Sequence, residues 1–345
     1  MSVPKWILVG SVILFSIIGT AAVIKKKSKE STKVKSNSVM SIPAKASTID
    51  KKKLSKKEKL TNPASLSVST SAAPLDHPIL STKDDFPNID RIFQLFTTGP
   101  SKLPIVETIT YTSSASWLKG RPAWIADYAT YYNTSRHLIA RSLNGKSDYF
   151  SQKVVEGSKF NVFCKDKKIQ FFLLVDISRC KMGFYYIDLE TNERVLLKTY
   201  RVGLGRIDSS KPSGTLTPLG RYSLGSRVAI YKPGMTGFYQ DQKVEMIKVF
   251  GTRWIPLDQE VDRTTVPAKG YGLQGSPWMI NSETGKFVEN RDAIGTYDSD
   301  GCIRLNSEDI EELFAIVLTK PTFIEVVKDF HETKLPGVEV AVPSR

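Results

Sequence analysis

The chain has 345 residues, with 49 Lys and Arg against 35 Asp and Glu, which gives a formal net charge of +14. This length is enough for two domains. Most of the excess charge lies in residues 25–59, which hold 13 lysines against three acidic residues. Because the remainder is only mildly basic, the charge pattern argues against a nucleic-acid-binding domain, and no nucleic-acid partner is expected.

The N-terminus is predicted to meet a membrane. Residues 6–24 are uncharged and mostly apolar, over about the length that a helix needs to cross a bilayer. We predict that residues 1–24 are an uncleaved transmembrane anchor, because the run exceeds the apolar core of a signal peptide. Small residues at Thr20, Ala21 and Ala22 leave cleavage as the alternative. The lysines that follow would hold the rest of the chain in the cytoplasm under the positive-inside rule.

Residues 25–85 are rich in Lys, Ser and Pro and have almost no aromatic side chains. Such a composition cannot bury enough surface to fold, so this segment is predicted to be a disordered linker. Its basic part is suited to contact with anionic lipid headgroups.

Residues 86–156 are predicted to form an accessory segment. Helix-like patterns at 124–131 and 134–143 are followed by a turn at Asn144-Gly145 and by a strand that contains Gly157, Phe160 and Val162. This order resembles a LysM peptidoglycan-binding module. The alternative is a helical extension that packs on the domain that follows.

From residue 157 onward the pattern is that of strands. Strands are predicted at 168–177, 184–189, 195–202 and 322–327, with turns at 166–167, 181–183 and 191–192. Short strands of this kind, with one helix after Cys302, predict a mostly-β sandwich or barrel over residues 157–328. Residues 329–345 are a predicted tail.

The stretch from 297 to 309 has the strongest chemical signal. Cys302 follows Gly301 and precedes Arg304 by two residues, and Asn306 or Ser307 is predicted to cap a helix. A nearby helix N-terminus and an arginine both predict a lowered thiol pKa and a nucleophilic thiolate. The alternative is a buried structural cysteine.

Residues 299–304 read Ser-Asp-Gly-Cys-Ile-Arg and resemble the Ser-His-Gly-Cys-Ile-Arg signature of the YkuD-type L,D-transpeptidases of bacterial cell walls. Three further stretches resemble that family in the same order, at residues 200–205, at 217–222, and at 250–255 together with 270–276. The resemblance covers residues 157–328 and implies a β-sandwich catalytic domain. It also implies a single-pass inner-membrane protein whose catalytic domain faces the periplasm or the wall, against the positive-inside rule.

The resemblance implies that Cys302 attacks the carbonyl of the L-centre of a diamino acid in a peptidoglycan stem peptide. D-alanine leaves, and the thioester is resolved by an amine of a neighbouring stem in a 3→3 cross-link, by a wall protein or by water. Peptidoglycan stem peptides are the implied partner. No cofactor is expected, and the scattered His and Cys residues predict no metal site.

Site residues follow from the matched stretches. Backbone N–H groups of Gly301 and Cys302 are predicted to form an oxyanion hole, because glycine allows a close approach of the chain. Ser299 and Asp300 belong to the same catalytic loop. For Arg304, bracing of the loop is the alternative to holding a substrate carboxylate. The predicted substrate-binding residues are Arg304, Tyr271, Gly275 and Ser276.

The sequence departs from the family at the general base. Gln274 stands where the family has its base histidine, and Asp300 where it has a second histidine. An amide has no pKa suited to proton transfer, so Gln274 cannot act as a base. Three explanations are open. A buried Asp300 or Asp298 is the base; or Arg304 and the helix supply enough thiolate unaided; or the domain is a pseudoenzyme that binds stem peptides and tethers the membrane to the wall.

Three remaining features lie outside this set. Residues 277–292 lengthen the interval between Gln274 and Cys302 and are predicted to be an inserted loop or lid. Cys164 and Cys180 flank a predicted strand and are either a disulfide pair or two small buried residues. No matched stretch contains His77, His137 or His331.

Overall fold

A computed structural model of the chain describes residues 85–144 and 154–340. The predicted anchor at 1–24, residues 25–84 of the predicted linker and His77 lie outside the described residues, as do residues 341–345 of the predicted tail. In the part that the structure describes, no helix is both long and apolar enough to cross a bilayer. The anchor therefore stays a prediction.

The described residues form five α-helices and 18 strands. The helices are α1 (Phe93–Phe96), α2 (Ile125–Tyr131), α3 (Arg136–Asn144), α4 (Ile247–Phe250) and α5 (Ser307–Val317), with 3₁₀ turns at Arg291–Ala293 and Phe330–Glu332. The strands up to residue 245 are β1 (Val106–Thr110), β2 (Lys159–Phe163), β3 (Ile169–Asp176), β4 (Lys181–Asp188), β5 (Glu193–Arg201), β6 (Leu204–Gly205), β7 (Gly220–Leu224), β8 (Ala229–Ile230), β9 (Thr236–Tyr239) and β10 (Gln242–Glu245). The later strands are β11 (Arg253–Asp262), β12 (Gly272–Gly275), β13 (Trp278–Ile280), β14 (Phe287–Glu289), β15 (Tyr297–Ser299), β16 (Ile303–Leu305), β17 (Thr322–Val327) and β18 (Val338–Glu339).

The largest sheet joins its strands in the order β16-β12-β11-β7-β17-β3-β4-β5-β18, and β8 also pairs with β11. Its pairs are antiparallel except for β12–β16, β3–β17 and β5–β18, which are parallel. The mostly-β prediction for this half of the chain is confirmed, and β3, β4, β5 and β17 correspond to the four predicted strands. Helix α5 is the helix predicted after Cys302.

The predicted turn at residues 181–183 is wrong. These residues open β4, and the chain reverses at residues 177–180 instead. There the Asp176 carboxylate accepts hydrogen bonds from Ser178 Oγ at 2.8 Å and from the Arg179 N–H at 2.9 Å. Gly183 lies inside the strand, and an added Cβ there would lie 2.8 Å from the Tyr185 ring, which explains why this residue is a glycine. A glycine inside a strand here marks a close approach rather than a turn.

Strands β3 and β4 are buried on both faces. Phe171, Leu173 and Val175 belong to the same core as the buried face of α5, whereas Phe172 and Leu174 belong to a second apolar cluster. Two-sided burial explains why residues 171–175 are continuously apolar instead of alternating. The sheet therefore provides a rigid support for α5 and for the strands that flank Cys302.

Strand β1, helices α2 and α3 and strand β2 form a strand–helix–helix–strand unit in residues 106–144 and 159–163. Strand β1 pairs antiparallel with β2, from Val106 opposite Phe163 to Thr110 opposite Lys159. This unit has its own small core around Tyr128. Strand β2 thus pairs within the accessory segment, although the sequence analysis grouped residues 157–163 with the catalytic domain.

The accessory unit also contacts the large sheet's core through α3. Leu138 is buried in that core, and the His137 ring meets the Phe314 ring of α5 with centroids 5.3 Å apart. The helix–helix–strand order of the LysM resemblance is present, and so is the packing that the alternative required. The nature of this segment stays a prediction.

The disulfide alternative is wrong, because Cys164 and Cys180 are both free thiols. Cys164 lies between β2 and β3, whereas Cys180 lies in the turn at the other end of β3. Most of an eight-residue strand separates them, about 20 Å. A disulfide requires Cα atoms within about 7 Å.

The predicted loop or lid at 277–292 is a β-hairpin of β13 and β14 followed by a 3₁₀ turn. At its base, Ser276 Oγ donates to the Asn290 carbonyl at 2.6 Å. Trp278 Nε1 donates to Ser307 Oγ at 3.2 Å, at the first residue of α5. The insert is therefore tied to the helix that follows Cys302.

Candidate active site

Cys302 lies in the short connection between β15 and β16, and residues 299–302 are called the nucleophile loop below. Strand β15 pairs in parallel with β6, and β16 pairs in parallel with β12. The carbonyl oxygen of Leu216 adjoins Gly301 from a third direction. Three stretches that carry the family resemblance, at 200–205, next to 217 and at 270–276, thus meet at the nucleophile loop.

Cys302 is half-buried as a residue, and its sulfur, which is withdrawn from water, contacts two backbone groups. Its Sγ lies 3.8 Å from the carbonyl oxygen of Gly270, to which it donates. The backbone N–H of Gly272 forms a hydrogen bond to the sulfur. A donor aimed at the sulfur favours the thiolate over the thiol. No role was predicted for Gly270 or Gly272, although both stand in a matched stretch.

Ser299 fixes the conformation of the nucleophile loop. Its side chain is buried, and its Oγ donates to the Cys302 carbonyl at 2.7 Å. The same Oγ accepts a hydrogen bond from the Gly301 N–H at 3.1 Å. The Gly301 N–H is therefore bonded within the loop and would have to leave Ser299 to bind an oxyanion, so its oxyanion-hole role stays a prediction.

Gly301 is required by its surroundings. Its φ is +111°, a region that residues with a side chain rarely adopt. An added Cβ would lie 2.6 Å from the Leu216 carbonyl oxygen and 2.7 Å from Cε1 of Tyr271. The Tyr271 ring therefore covers the nucleophile loop at Gly301, which keeps this predicted substrate-binding residue beside Cys302.

Removal from water raises the pKa of the Cys302 thiol to about 12. The Gly272 N–H and the charge of Arg304 oppose this increase, and the charge of Asp300 adds to it. The predicted lowering of the thiol pKa is therefore wrong. Since the pKa is raised, the thiol is protonated at neutral pH, and the thiolate forms only as the pH rises toward 12.

The N-terminus of helix α5 does not lower the pKa of the thiol, because it lies too far away. Helix α5 begins at Ser307, and the intervening β16 is extended, so about 13 Å of chain separates Cys302 from Asn306. The helix dipole acts mainly within its first turn. The predicted cap itself is confirmed, since Asn306 Oδ1 accepts from the Asp309 N–H at 2.9 Å. The Ser307 N–H is bonded to the Glu289 carboxylate of the insert.

Arg304 braces the loop in this structure. Its Nη1 forms an ion pair with the Asp298 carboxylate, and only 14% of its side chain is exposed. The paired carboxylate also offsets the charge that Arg304 presents to the thiol. Of the two predicted roles, the contacts show bracing, and a substrate carboxylate would have to compete with Asp298.

The prediction of a buried carboxylate base is wrong. Asp298 has half of its side chain exposed and is paired with Arg304. Asp300 is 46% exposed and pairs with Arg206 at 2.6 Å. Neither carboxylate is withdrawn from water, so the burial that this explanation required is absent.

Gln274 lies on β12 with 4% of its surface exposed. It is paired with Arg304 of β16 in parallel register. Because alternate residues of a strand share a face, Gln274, Arg304 and Cys302 belong to one face of the β12–β16 pair. The Gln274 Nε2 donates to the Val249 carbonyl at 3.1 Å. This amide is engaged by the backbone and supplies no proton acceptor for the thiol.

Gly275 and Ser276, two of the predicted substrate-binding residues, lie inside the fold, and their contact with substrate stays a prediction. Both are buried, and Gly275 packs against the backbone of Gly251 and Thr252. The Ser276 hydroxyl is fully buried and donates to Asn290 at the base of the insert. In this structure they join β12 to the inserted hairpin.

Residues 170–327 match the model of the YkuD family, the L,D-transpeptidase catalytic domain. This part of the chain is a YkuD domain. A search of curated proteins found no match.

Three solved structures resemble the chain. The Bdellovibrio bacteriovorus protein Bd1075 is 15% identical, with 46% of this chain and 48% of that chain covered and a TM-score of 0.31. Pgp2 of Campylobacter jejuni, a helical cell shape determining protein, is 17% identical, with 50% and 51% covered and a TM-score of 0.32. L,D-transpeptidase 1 of Mycobacterium tuberculosis is 18% identical, with 50% and 67% covered and a TM-score of 0.21. The chain spans about half the length of the first two.

Neither described histidine belongs to the nucleophile loop of the YkuD domain. His137 is buried against α5, where removal from water, with the charges of Arg136 and Arg253, lowers its pKa to about 4. His331 pairs with Asp329 at 2.7 Å and with Asp85 at 3.3 Å. Both imidazoles are engaged elsewhere in the fold.

Arg206 is a third residue at the nucleophile loop for which no role was predicted from the sequence. Its N–H donates to the Ser299 carbonyl at 2.9 Å, and its guanidinium pairs with Asp300. With 58% of its side chain exposed, it is far more open to solvent than Arg304. It directly follows the matched stretch 200–205, which was the available signal.

Proposed function

We propose that the YkuD domain is a peptidoglycan acyltransferase of the L,D-transpeptidase type, with Cys302 as nucleophile, and that it is slow at neutral pH. The observation that carries this proposal is the Cys302 thiol on a loop fixed by Ser299, and its pKa, raised to about 12, is the reason for the slow rate. At pH 7 such a thiol is ionised to about one part in 10⁵, against a few per cent for a free cysteine. The reaction is limited by the supply of thiolate.

Gln274 is the cause of this limit in our proposal. It occupies the position that the family resemblance assigns to the general-base histidine, and its amide is bonded to Val249. In the acylation step, a bond forms between Sγ and the stem carbonyl carbon, and the bond to D-alanine breaks. The thiol proton ends on the leaving amine. Without an imidazole to carry it, this proton must pass through water.

Two features support acyl transfer despite the missing base. The Gly272 N–H is aimed at the sulfur and stabilises negative charge there as the thiolate forms. The loop is also locked by Ser299, so the nucleophile is held in one position before substrate binds. We assign the substrate carboxylate to Arg206, whose exposed guanidinium adjoins the loop, and leave Arg304 as a brace.

A pseudoenzyme is the second candidate, and the same thiol pKa favours it. In that case the domain binds stem peptides without forming a thioester.

We also propose that the domain acts on the outer side of the bacterial inner membrane, tethered through residues 1–24. Protease added to spheroplasts would digest the domain in that location. Protection from the protease would place the domain in the cytoplasm and contradict the proposal.

The test of acyl transfer is intact-protein mass spectrometry of the full chain with a carbapenem, which the family resemblance implies will acylate the nucleophile. We expect one adduct that forms over hours at pH 7. The Cys302→Ala variant retains the other two thiols and should show none. No adduct on the folded parent chain would overturn the enzyme proposal in favour of the pseudoenzyme. An adduct on Cys302→Ala would show that a different thiol reacts.

A further inference from the structure

A second concave site lies between the accessory unit and the large sheet. It is a cavity of about 380 Å³, within the range of small-molecule pockets. Its walls come from the turn after α2, from the connection between β2 and β3, and from the residues that precede β17. We call it the lysine cavity, after the residues Lys165, Lys167, Lys168 and Lys320 in its lining.

The charge of this lining is of one sign. Four lysines line the cavity and no acidic residue does. Lys167 pairs with Asp188 at 2.6 Å, and Lys168 makes a looser pair with Glu190 at 3.8 Å. Lys165 and Lys320 have no carboxylate within 4 Å among the residues that the structure describes. A concave surface lined by one sign of charge raises the local concentration of counter-ions.

Aromatic rings hold the two unpaired ammonium groups in place. Lys165 Nζ lies 3.6 Å from the centroid of the Tyr131 ring. Trp117 stacks on that ring at 4.4 Å and 10°, which leaves the opposite face to the lysine. Lys320 Nζ lies 5.2 Å from the centroid of Phe163. A cation on an aromatic face keeps its N–H donors available for an anion.

Burial adds to the demand for an anion. Removal from water lowers the pKa of Lys320, so an anion beside it would favour its charged form. Glu107 lies outside the lining, and the charge of Lys165 acts to lower its pKa, but the two form no ion pair among the described residues. Among described residues, therefore, Lys165 and Lys320 both line the cavity without a carboxylate in contact.

We propose that the lysine cavity binds a small ligand, or a chain end, that carries a carboxylate or phosphate oxyanion beside a ring or aliphatic face. Lys165 and Lys320 bind the oxyanion. Tyr132, Ile169, Leu189 and Pro321 provide the apolar wall for the remainder of the ligand. In the sheet order, β12, β11 and β7 separate β16 from β17, and the cavity shares no lining residue with the nucleophile loop. The site is therefore independent of acyl transfer at Cys302.

The test is isothermal titration calorimetry of the full chain with three matched hexose probes. Glucose is neutral, glucuronate carries a carboxylate, and glucose 1-phosphate carries a phosphate. We expect at least one anionic probe to bind about tenfold or more tighter than glucose, and to weaken as NaCl rises from about 50 to about 500 mM. The tighter of the two anions then identifies the source of the oxyanion.

The Lys165→Gln/Lys320→Gln double variant should lower the affinity for that anion about tenfold or more. Lys119→Gln removes an exposed charge outside the cavity and should change it less than about twofold, as should Cys302→Ala. Thermal unfolding of each variant checks the fold. Equal binding of glucose, binding of neither anion at about 10 mM, or an unchanged affinity in the double variant would overturn the proposal.

Discussion

The nucleophile loop and the lysine cavity use their polar groups in opposite ways. Around Cys302, the Ser299 hydroxyl bonds the Gly301 N–H and the Cys302 carbonyl, and Asp298 pairs with Arg304. In the cavity, the ammonium groups of Lys165 and Lys320 rest on aromatic rings without a carboxylate partner among the described residues. Bonded polar groups fix a geometry, whereas unpaired charges in a cleft favour a ligand. The fold thus secures the position of the nucleophile but not its ionisation.

The largest effect is expected from supplying the missing base. In Gln274→His, the Val249 carbonyl that now accepts from the amide can accept one imidazole N–H and orient the ring. The other ring nitrogen is then on the strand face that Cys302 shares. We expect the rate of carbapenem adduct formation at pH 7 to rise by about 10² to 10⁴.

The control for that variant is Gln274→Leu, which fills a similar volume without a titratable group. Its adduct rate should stay within about threefold of the parent, since neither residue is a base. Equal rates for Gln274→His and Gln274→Leu would show that something other than a missing base limits the thiol.

Rigidity of the nucleophile loop is tested by a pair of glycines. Gly301→Ala combines a φ of +111° with clashes at 2.6 and 2.7 Å. We therefore expect the free energy of unfolding to fall by about 3 kcal/mol or more. Gly270→Ala has a φ of +93° but open space around its Cβ, so about 1 kcal/mol is expected. Urea denaturation measures both, and equal losses would mean that the loop relaxes around the added methyl group.

The Ser299 hydroxyl should contribute less than Gly301. Ser299→Ala removes a buried group that bonds both Gly301 and Cys302, and we expect a loss of about 1–2 kcal/mol. Ser210→Ala removes an exposed hydroxyl bonded to Asp208 and should cost about 0.5 kcal/mol or less. The same urea denaturation series compares the two variants. If Ser299→Ala loses no more stability than Ser210→Ala, the claim that Ser299 fixes the nucleophile loop is contradicted.

The smallest effect is expected at the loop's surface ion pair. Asp298→Asn breaks the pair with Arg304, but half of the Asp298 side chain is in water, so stability should fall by about 1 kcal/mol or less. The same change removes a charge that offsets Arg304. A modest increase in adduct rate, about threefold, is therefore expected at low salt, and a decrease would show that Asp298 assists the reaction.

Sequence patterns predicted the parts of this domain that depend on local order. The capped helix after Cys302, strands β3, β4, β5 and β17, and the YkuD resemblance follow from periodicity and short motifs. The turn prediction at Gly183 was wrong because this glycine is needed for close contact with the Tyr185 ring. Local sequence does not show that contact.

The ionisation of the thiol was not predictable for a similar reason. Cys302 and Asn306 are four residues apart, and only the extended conformation of β16 carries the helix out of range. Burial of the sulfur and the pairing of Arg304 with Asp298 depend on distant stretches of chain. Contacts with distant stretches of the chain leave no signal in the motif itself.

The most direct measurement is the pH dependence of Cys302 alkylation by iodoacetamide, in a Cys164→Ser/Cys180→Ala background that leaves one thiol. A pKa raised to about 12 predicts a rate that increases about tenfold per pH unit from about pH 7 to about pH 10, without a plateau. A rate that levels off below about pH 8 would show a thiolate already formed at neutral pH. That result would contradict the claim that the reaction at Cys302 is limited by the supply of thiolate.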